Sequence, residues 1–263
     1  MFGHETITAA FKKLAHEGEL GHAYLFFGDA EIGKSLFARS LGNFLEHGKF
    51  EEPAGTLSDA FEVIPAEGKK SLGIDEVREV RRFLSQTPFS SHRRLAIINN
   101  AELLTNEAQS AMLKIVEEPP SHALIILITH DPSILFGPLR SRFTSIYFPR
   151  FSREKVRKIL TERLGVSETK AHVIAEDSYG RIGRALRLSS GQAIRQTQSK
   201  LTANEIDVEA ELETKILALR KEGVLRNSQK LARLIHKETE MKRFNLNPQL
   251  QKKAIEALCN TQL

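Results

Sequence analysis

The chain has a single cysteine, Cys259, which excludes an internal disulfide framework and any zinc site built from cysteines. It also lacks long hydrophobic runs: none approaches the roughly 18 residues that a membrane-spanning helix needs. The first residues, Met1-Phe2-Gly3-His4-Glu5, have no basic stretch followed by an apolar core, so no secretory signal is visible and a cytoplasmic protein is expected. Internal repeats and low-complexity tracts are missing too. What is left is an ordinary soluble composition, 41% hydrophobic and 27% charged over 263 residues. That length suits one large domain, or one of about 150 residues with smaller attachments.

The net charge of +5 is unevenly spread. Residues 1–150 carry 16 Lys+Arg against 19 Asp+Glu, a net of −3; residues 151–200 carry 11 against 5, or +6; residues 201–263 carry 11 against 9, or +2. A basic middle segment beside an acidic first domain is compatible with a nucleic-acid or acidic partner, and equally with charges scattered over solvated helices.

Residues 5–18 read as a short amphipathic helix, with Ile7, Ala10, Phe11 and Leu14 on one side. Ala23-Tyr24-Leu25-Phe26-Phe27 then reads as a buried strand that runs straight into Gly28-Asp29-Ala30-Glu31-Ile32-Gly33-Lys34-Ser35. This is a complete G-x-x-x-x-G-K-S loop. Its glycines let backbone N–H groups curl round phosphates, its lysine neutralises phosphate charge, and its serine hydroxyl suits Mg²⁺. A helix is expected from Leu36 to Leu45. Gly28, Gly33, Lys34 and Ser35 are therefore the candidate nucleotide ligands.

Residues 46–72 are polar loop around one short strand, Phe61 to Ile64, and Ser71 to Gln86 has helical spacing with Arg78, Arg81 and Arg82 on its outer side. Leu95-Ala96-Ile97-Ile98 is a second buried strand. A helix follows, with Asn106 as its expected N-cap, Gln109 reaching back to it, and Ala108, Met112, Ile115 and Val116 forming the apolar face. Glu117-Glu118-Pro119-Pro120 ends it. Leu124 to Ile128 is a third strand, ending at Thr129-His130-Asp131, and Ser145 to Phe148 a fourth β-like run after Ser141-Arg142-Phe143. Strand, helix, strand with polar tips is the core of a parallel nucleotide-binding sheet.

One piece of chemistry is missing. Phosphate-loop enzymes hold Mg²⁺ with an aspartate at a strand end, and many polarise the attacking water with an adjacent carboxylate. Here those positions read Asn99 and Asn100. An amide is a weak ligand for a hard cation and cannot accept a proton as a base. Glu102, three residues on, falls past the expected end of the strand and is the less favoured substitute.

Beyond Arg150 the strands stop. Ser152–Leu164, Ser167–Ser178 and Gly180–Leu188 read as a three-helix unit, and Glu205–Lys221, Ser228–Phe244 and Pro248–Leu258 as further helices after a soft linker around residues 196–204.

His22-Ala23-Tyr24-Leu25-Phe26, the run Ala108 and Ala111 through Pro120 with its Glu117-Glu118-Pro119-Pro120 ending, and Ser141-Arg142-Phe143 together resemble the AAA+ subunits of bacterial DNA polymerase III clamp loaders, the delta-prime branch most of all. The similarity covers about residues 3–190, and Asn247-Pro248 with the following helix is similar to the end of that family's collar. The resemblance implies an α/β fold: a P-loop (AAA+) parallel-sheet domain at 1–150, a helical lid at 151–197, and a shortened all-α collar at 201–263. It implies a hetero-pentameric ring with gamma/tau-like ATPase and delta-like subunits, acting on a sliding clamp and primer-template DNA. It implies that Arg142, in the place of the S-R-C arginine, reaches the neighbour's ATP site in trans.

The departures from the family pattern imply a subunit that does not hydrolyse ATP itself. Asn99 and Asn100 replace the Walker B acids, Glu31 replaces the mid-loop glycine and should repel phosphate unless it points to solvent, and Gly183 stands where motor subunits carry a sensor arginine, with Arg184 adjacent as a partial replacement. ATP or ADP is then held without hydrolysis or not held, Mg²⁺ is weak or absent, and the family's four-cysteine zinc module is missing. Two other readings stay open at this point: an active gamma/tau-like ATPase using Glu102 or a partner's carboxylate, and a non-replicative nucleic-acid-binding scaffold.

Overall fold

A computed structural model describes residues 3–65 and 71–190. The chain divides into two compact units, residues 1–189 and 190–263. The helices expected beyond residue 200, and with them the collar, lie outside the described residues.

In chain order the elements are α1 (Glu5–Glu17), β1 (Ala23–Phe27), α2 (Lys34–His47), β2 (Ala60–Val63), α3 (Ile74–Leu84), β3 (Arg94–Ile98), α4 (Asn106–Glu117), β4 (Ala123–Thr129), α5 (Gly137–Arg140), β5 (Thr144–Tyr147), α6 (Arg153–Leu164), α7 (Glu168–Asp177) and α8 (Ile182–Ser189). The five strands form one parallel sheet in the order β2-β3-β4-β1-β5. The three central strands are buried along their whole length or nearly so, which is why they read as continuous apolar runs.

Alternation along those strands builds two cores. Leu25, Ala96, Ile98, Ile125 and Leu127 face Val77, Val80 and Leu84 of α3 and Ala108, Met112 and Val116 of α4. Tyr24, Phe26, Leu95, Ile97, Leu124 and Ile126 face Phe11 of α1 and Phe37, Ala38 and Leu41 of α2. The second core is aromatic: Phe26 meets Phe11 and Phe37 edge-on at centroid distances of 5.7 and 5.6 Å, the geometry ring quadrupoles favour. A separate cluster of Val156, Ile159, Leu160, Ala171, Ala175, Ile182 and Ala185 holds α6, α7 and α8 together.

Two local expectations are corrected. The N-cap of α4 is Thr105, not Asn106: its Oγ1 accepts from the Ala108 N–H at 3.2 Å. Gln109 does not reach back to the cap. It is buried, donating to the Leu104 carbonyl at 3.2 Å and accepting from the Phe136 N–H at 2.8 Å, so it ties α4 to the start of α5.

Candidate nucleotide-binding site

The register sets the site. Phe27 of β1 pairs with Thr129 of β4, Ile98 of β3 with Leu127 of β4, and Val63 of β2 with Ile98. The residues that follow, Gly28, Asn99 and His130, therefore emerge along one edge, at the carboxyl ends of parallel strands where such sheets bind ligands. Gly28 turns the chain at φ 133°, and a Cβ there would lie 2.5 Å from the Phe148 carbonyl oxygen, so the position takes no side chain.

Lys34 opens α2 and is buried. Its Nζ donates to the carbonyls of Gly28 at 2.7 Å and Asp29 at 2.6 Å, which fixes the ammonium inside the loop. Burial pushes its pKa down to about 8, against the opposing pull of Glu102 and Asp29. Ser35 donates through Oγ to Asn99 Oδ1 at 2.5 Å, and Asn99 Nδ2 donates to Glu62 Oε1. The hydroxyl that would hold a cation thus faces an amide. The phosphate-cradling parts fit a nucleotide, while the oxygen donors beside Ser35 make a weak Mg²⁺ set. Among the described residues no cluster of three or more His, Cys, Asp or Glu is placed to hold a metal.

Glu102 does return to the site. The chain after Asn100 makes a short 3₁₀ turn, Ala101–Leu103, and the Glu102 side chain is only 10% exposed. Its Oε1 accepts from His130 Nδ1 at 2.8 Å and from Asn100 Nδ2 at 3.3 Å, while its Oε2 is buried without a hydrogen-bond partner. Burial pushes the Glu102 carboxyl up. The His130 hydrogen bond leads the contacts that outweigh burial and hold it below the usual glutamate value. The same bond raises His130 above the usual histidine value.

The departures expected to weaken the loop meet one another. Glu31, at φ 62°, pairs its carboxylate with Arg187 of α8 and so is neither loose in solvent nor an uncompensated charge. Its carbonyl accepts from the Gly183 N–H at 2.8 Å, and a Cβ on Gly183 would lie 3.0 Å from the Glu31 Cβ. Glycine at 183 gives α8 a close approach to the phosphate loop without that tight contact. Arg184, the next residue, is half-buried on the same helix. Asp29 is gripped by a two-pronged hydrogen bond from Arg150, which holds its carboxyl below the usual aspartate value.

Gly28, Gly33, Lys34, Ser35, Asn99 and Glu102 therefore come together, but Arg142 does not join them. It lies just after α5, where Nη1 donates to the Pro138 carbonyl at 2.8 Å and Nη2 pairs with Glu117 at 2.5 Å; its side chain is 38% exposed. Five of the cations in the basic segment are engaged in ion pairs: Arg153 with Glu176, Lys155 with Glu5, Arg157 with Glu168, Lys158 with Glu162 and Arg187 with Glu31. Sequence reasoning missed Glu62, Arg150, Arg187 and the role of His130. Only His130 left a signal, as a titratable residue in the polar tip Thr129-His130-Asp131 of an apolar strand.

Residues 3–152 match the family described as DNA polymerase III, delta subunit. The chain is 33% identical over 138 residues to DNA polymerase III subunit delta' of Escherichia coli, covering 52% of this chain and 41% of that protein. It is 29% identical over 195 residues to DNA polymerase III subunit gamma/tau of Mycobacterium tuberculosis, covering 70% of this chain and 33% of that protein, so it spans about a third of the length of that relative. A crystal structure of a gamma-subunit-related protein from Thermotoga maritima shares the fold at a TM-score of 0.56 and 19% identity, with 94% of this chain and 97% of that chain covered. With the family matching more than half of the sequence, on the sheet and phosphate loop just described, the chain belongs to the DNA polymerase III delta-subunit family.

Proposed function

We propose that the chain is a delta-prime-like member of a clamp-loader ring that does not hydrolyse ATP and supplies Arg142 as a finger to a neighbouring gamma/tau-like ATPase while the sliding clamp is placed on primed DNA. The observation that carries this reading is the pairing of Ser35 with the Asn99 amide, a neutral and weak oxygen donor at the place where an anionic metal ligand is expected. Arg142 supports it. Among the described residues its guanidinium makes no hydrogen bond or ion pair to residues 28–35, and it stands partly exposed at the far end of α4 and α5. A guanidinium stays charged and forks onto phosphate oxygens, and a finger supplied in trans is worth about 10³–10⁵ in rate in related GTPases. Gly28, Gly33, Lys34 and Ser35, with Arg184 of α8 nearby, would hold ATP or ADP through the phosphates with little contribution from Mg²⁺.

The test is the ATPase rate of the reconstituted loader, with clamp and primed DNA, for wild type and Arg142→Ala in this subunit. A collapse with the ring still assembled supports the finger; an unchanged rate removes it.

Glu102 favours a second reading, that of an active ATPase. It is a buried carboxylate held ionised beside Lys34, with one oxygen unpartnered. On that reading the isolated chain hydrolyses ATP over many turnovers and Lys34→Ala abolishes the activity, whereas the proposed function expects no turnover.

A further inference from the structure

We infer that Glu117 is the positioning residue for Arg142, presenting the guanidinium to the neighbouring subunit; this rests on the finger reading above. Glu117 is the last residue of α4, and Glu118 with φ −127° followed by Pro119-Pro120 ends the helix there. A carboxylate in the last turn of a helix opposes the helix dipole, so an acid there is unfavourable unless a cation meets it. Arg142 meets it, with Nη2 at 2.5 Å from Glu117 Oε1. A second restraint comes from within the turn that carries the arginine: Nη1 donates to the Pro138 carbonyl at 2.8 Å. Two anchors on two guanidinium nitrogens fix the plane of the fork, and the remaining N–H donors stay available for an anion.

The pair is suited to orienting without trapping. Arg142 and Glu117 are 38% and 46% exposed, so water screens their attraction and a phosphate can compete for the guanidinium. The double proline serves the same end, since it stops α4 with the carboxylate at the reach of α5. On this view Glu117, held at the helix end by Pro119-Pro120, and Arg142 are two halves of one device, with Glu117 acting through Arg142 and touching no reacting atom.

The experiment is a double-mutant cycle in the reconstituted loader, reading kcat and KM for ATP hydrolysis with clamp and primed DNA. Glu117→Ala should lower kcat about tenfold to a hundredfold, the scale of a misplaced catalytic group, with KM for ATP unchanged. It should add nothing in an Arg142→Ala background, and Glu117→Gln, which keeps an acceptor at the same reach, should restore most of the rate. Glu118→Ala serves as the control and should match wild type. An unchanged kcat for Glu117→Ala beside a collapsed Arg142→Ala overturns the positioning role and leaves the finger standing. Equal losses from Glu117→Ala with and without Arg142 overturn it in favour of a purely structural role. An unaffected Arg142→Ala overturns the finger reading itself, and this inference with it.

Discussion

Gly28 and Gly33 bracket the same phosphate loop, both at positive φ, yet alanine should be tolerated very differently at the two. Their φ values are 133° and 98°. At Gly33 an added Cβ meets nothing within 4 Å, so Gly33→Ala carries only the backbone cost of a left-handed residue, about 1–2 kcal/mol. At Gly28 the Cβ would lie 2.5 Å from the Phe148 carbonyl oxygen and 2.9 Å from Ile32 Cδ1. Phe148 has little freedom to retreat, because its N–H donates to the Phe27 carbonyl at 2.8 Å beside β1 and β5, and its ring is fully buried among Phe26 and Phe37. Forcing main chain apart in a packed interior adds about 1–3 kcal/mol to the backbone cost. A difference of about 2 kcal/mol between the two variants follows, or about 4–8 °C in melting temperature for a domain of this size. Thermal melts followed by circular dichroism, in buffer without nucleotide, measure it directly. Equal melting temperatures, or a less stable Gly33→Ala, would refute the steric argument and leave backbone conformation and phosphate contact as the reasons for glycine at position 28.

The Glu102–His130 pair should write itself into the pH dependence of stability. His130 is raised from its ordinary 6.5, so its contribution is full below that value and fades as pH climbs through the folded pKa; Glu102 is lowered from 4.5, so its contribution is full above that value and fades on acidification. The pair is most stabilising between the two ordinary values, and the advantage of wild type over His130→Gln should shrink as pH rises from about 6 to about 8, read from urea midpoints. A constant difference across that range counts against the pairing. Asp59 offers a test of the sheet's framework: its carboxylate, almost fully buried, accepts from the N–H groups of Phe89, Ser90 and Ser91 at 2.7, 2.6 and 2.7 Å and lies 3.8 Å from Arg94. Asp59→Ala removes the acceptor of those N–H groups and leaves the buried Arg94, which still donates to Gln86 and Ser58, without its carboxylate; it should cost about 3 kcal/mol or more in urea unfolding, whereas exposed Asp75→Ala, which loses only a surface pair with Arg78, should cost less than about 1. Similar losses for the two would contradict the bonding at Asp59.

The strands were readable because burial on both faces leaves no polar alternation: Ala23–Phe27, Leu95–Ile98 and Leu124–Ile128 are apolar whichever way each side chain points. The phosphate loop was readable because its spacing is set by the size of a phosphate group rather than by the rest of the fold. Ambiguity began where two neighbours had the same chemistry. Thr105 and Asn106 are both good caps, and the choice fell to the one whose successor left Gln109 free to bind the Leu104 carbonyl and the Phe136 N–H. Glu102 was visible as the next acid after Asn99, but the 3₁₀ turn that returns its carboxylate towards Lys34 has no pattern of its own in three residues. The partners of Asp29, Glu31 and Arg142 lie far along the chain or on another element, and single-residue chemistry does not choose among 38 cations and 33 acids.

Glu31 and Gly183, taken one at a time, are each a local cost. A non-glycine residue at φ 62° is disfavoured by about 1–2 kcal/mol, and glycine near the start of a helix forfeits up to about 1 kcal/mol against alanine. Together they make a single contact. The N–H of Gly183 is one of the donors that the first turn of α8 leaves unpaired, and the Glu31 carbonyl satisfies it at 2.8 Å across a gap where an added Cβ would make a tight contact of 3.0 Å. With the helix seated, Arg187, one turn further along, reaches the Glu31 carboxylate. Restoring a side chain at 183 alone would press on Glu31 main chain, and restoring glycine at 31 alone would remove the acid that Arg187 meets. The two positions are therefore one adaptation, by which the phosphate loop holds the third helix with a carboxylate of its own.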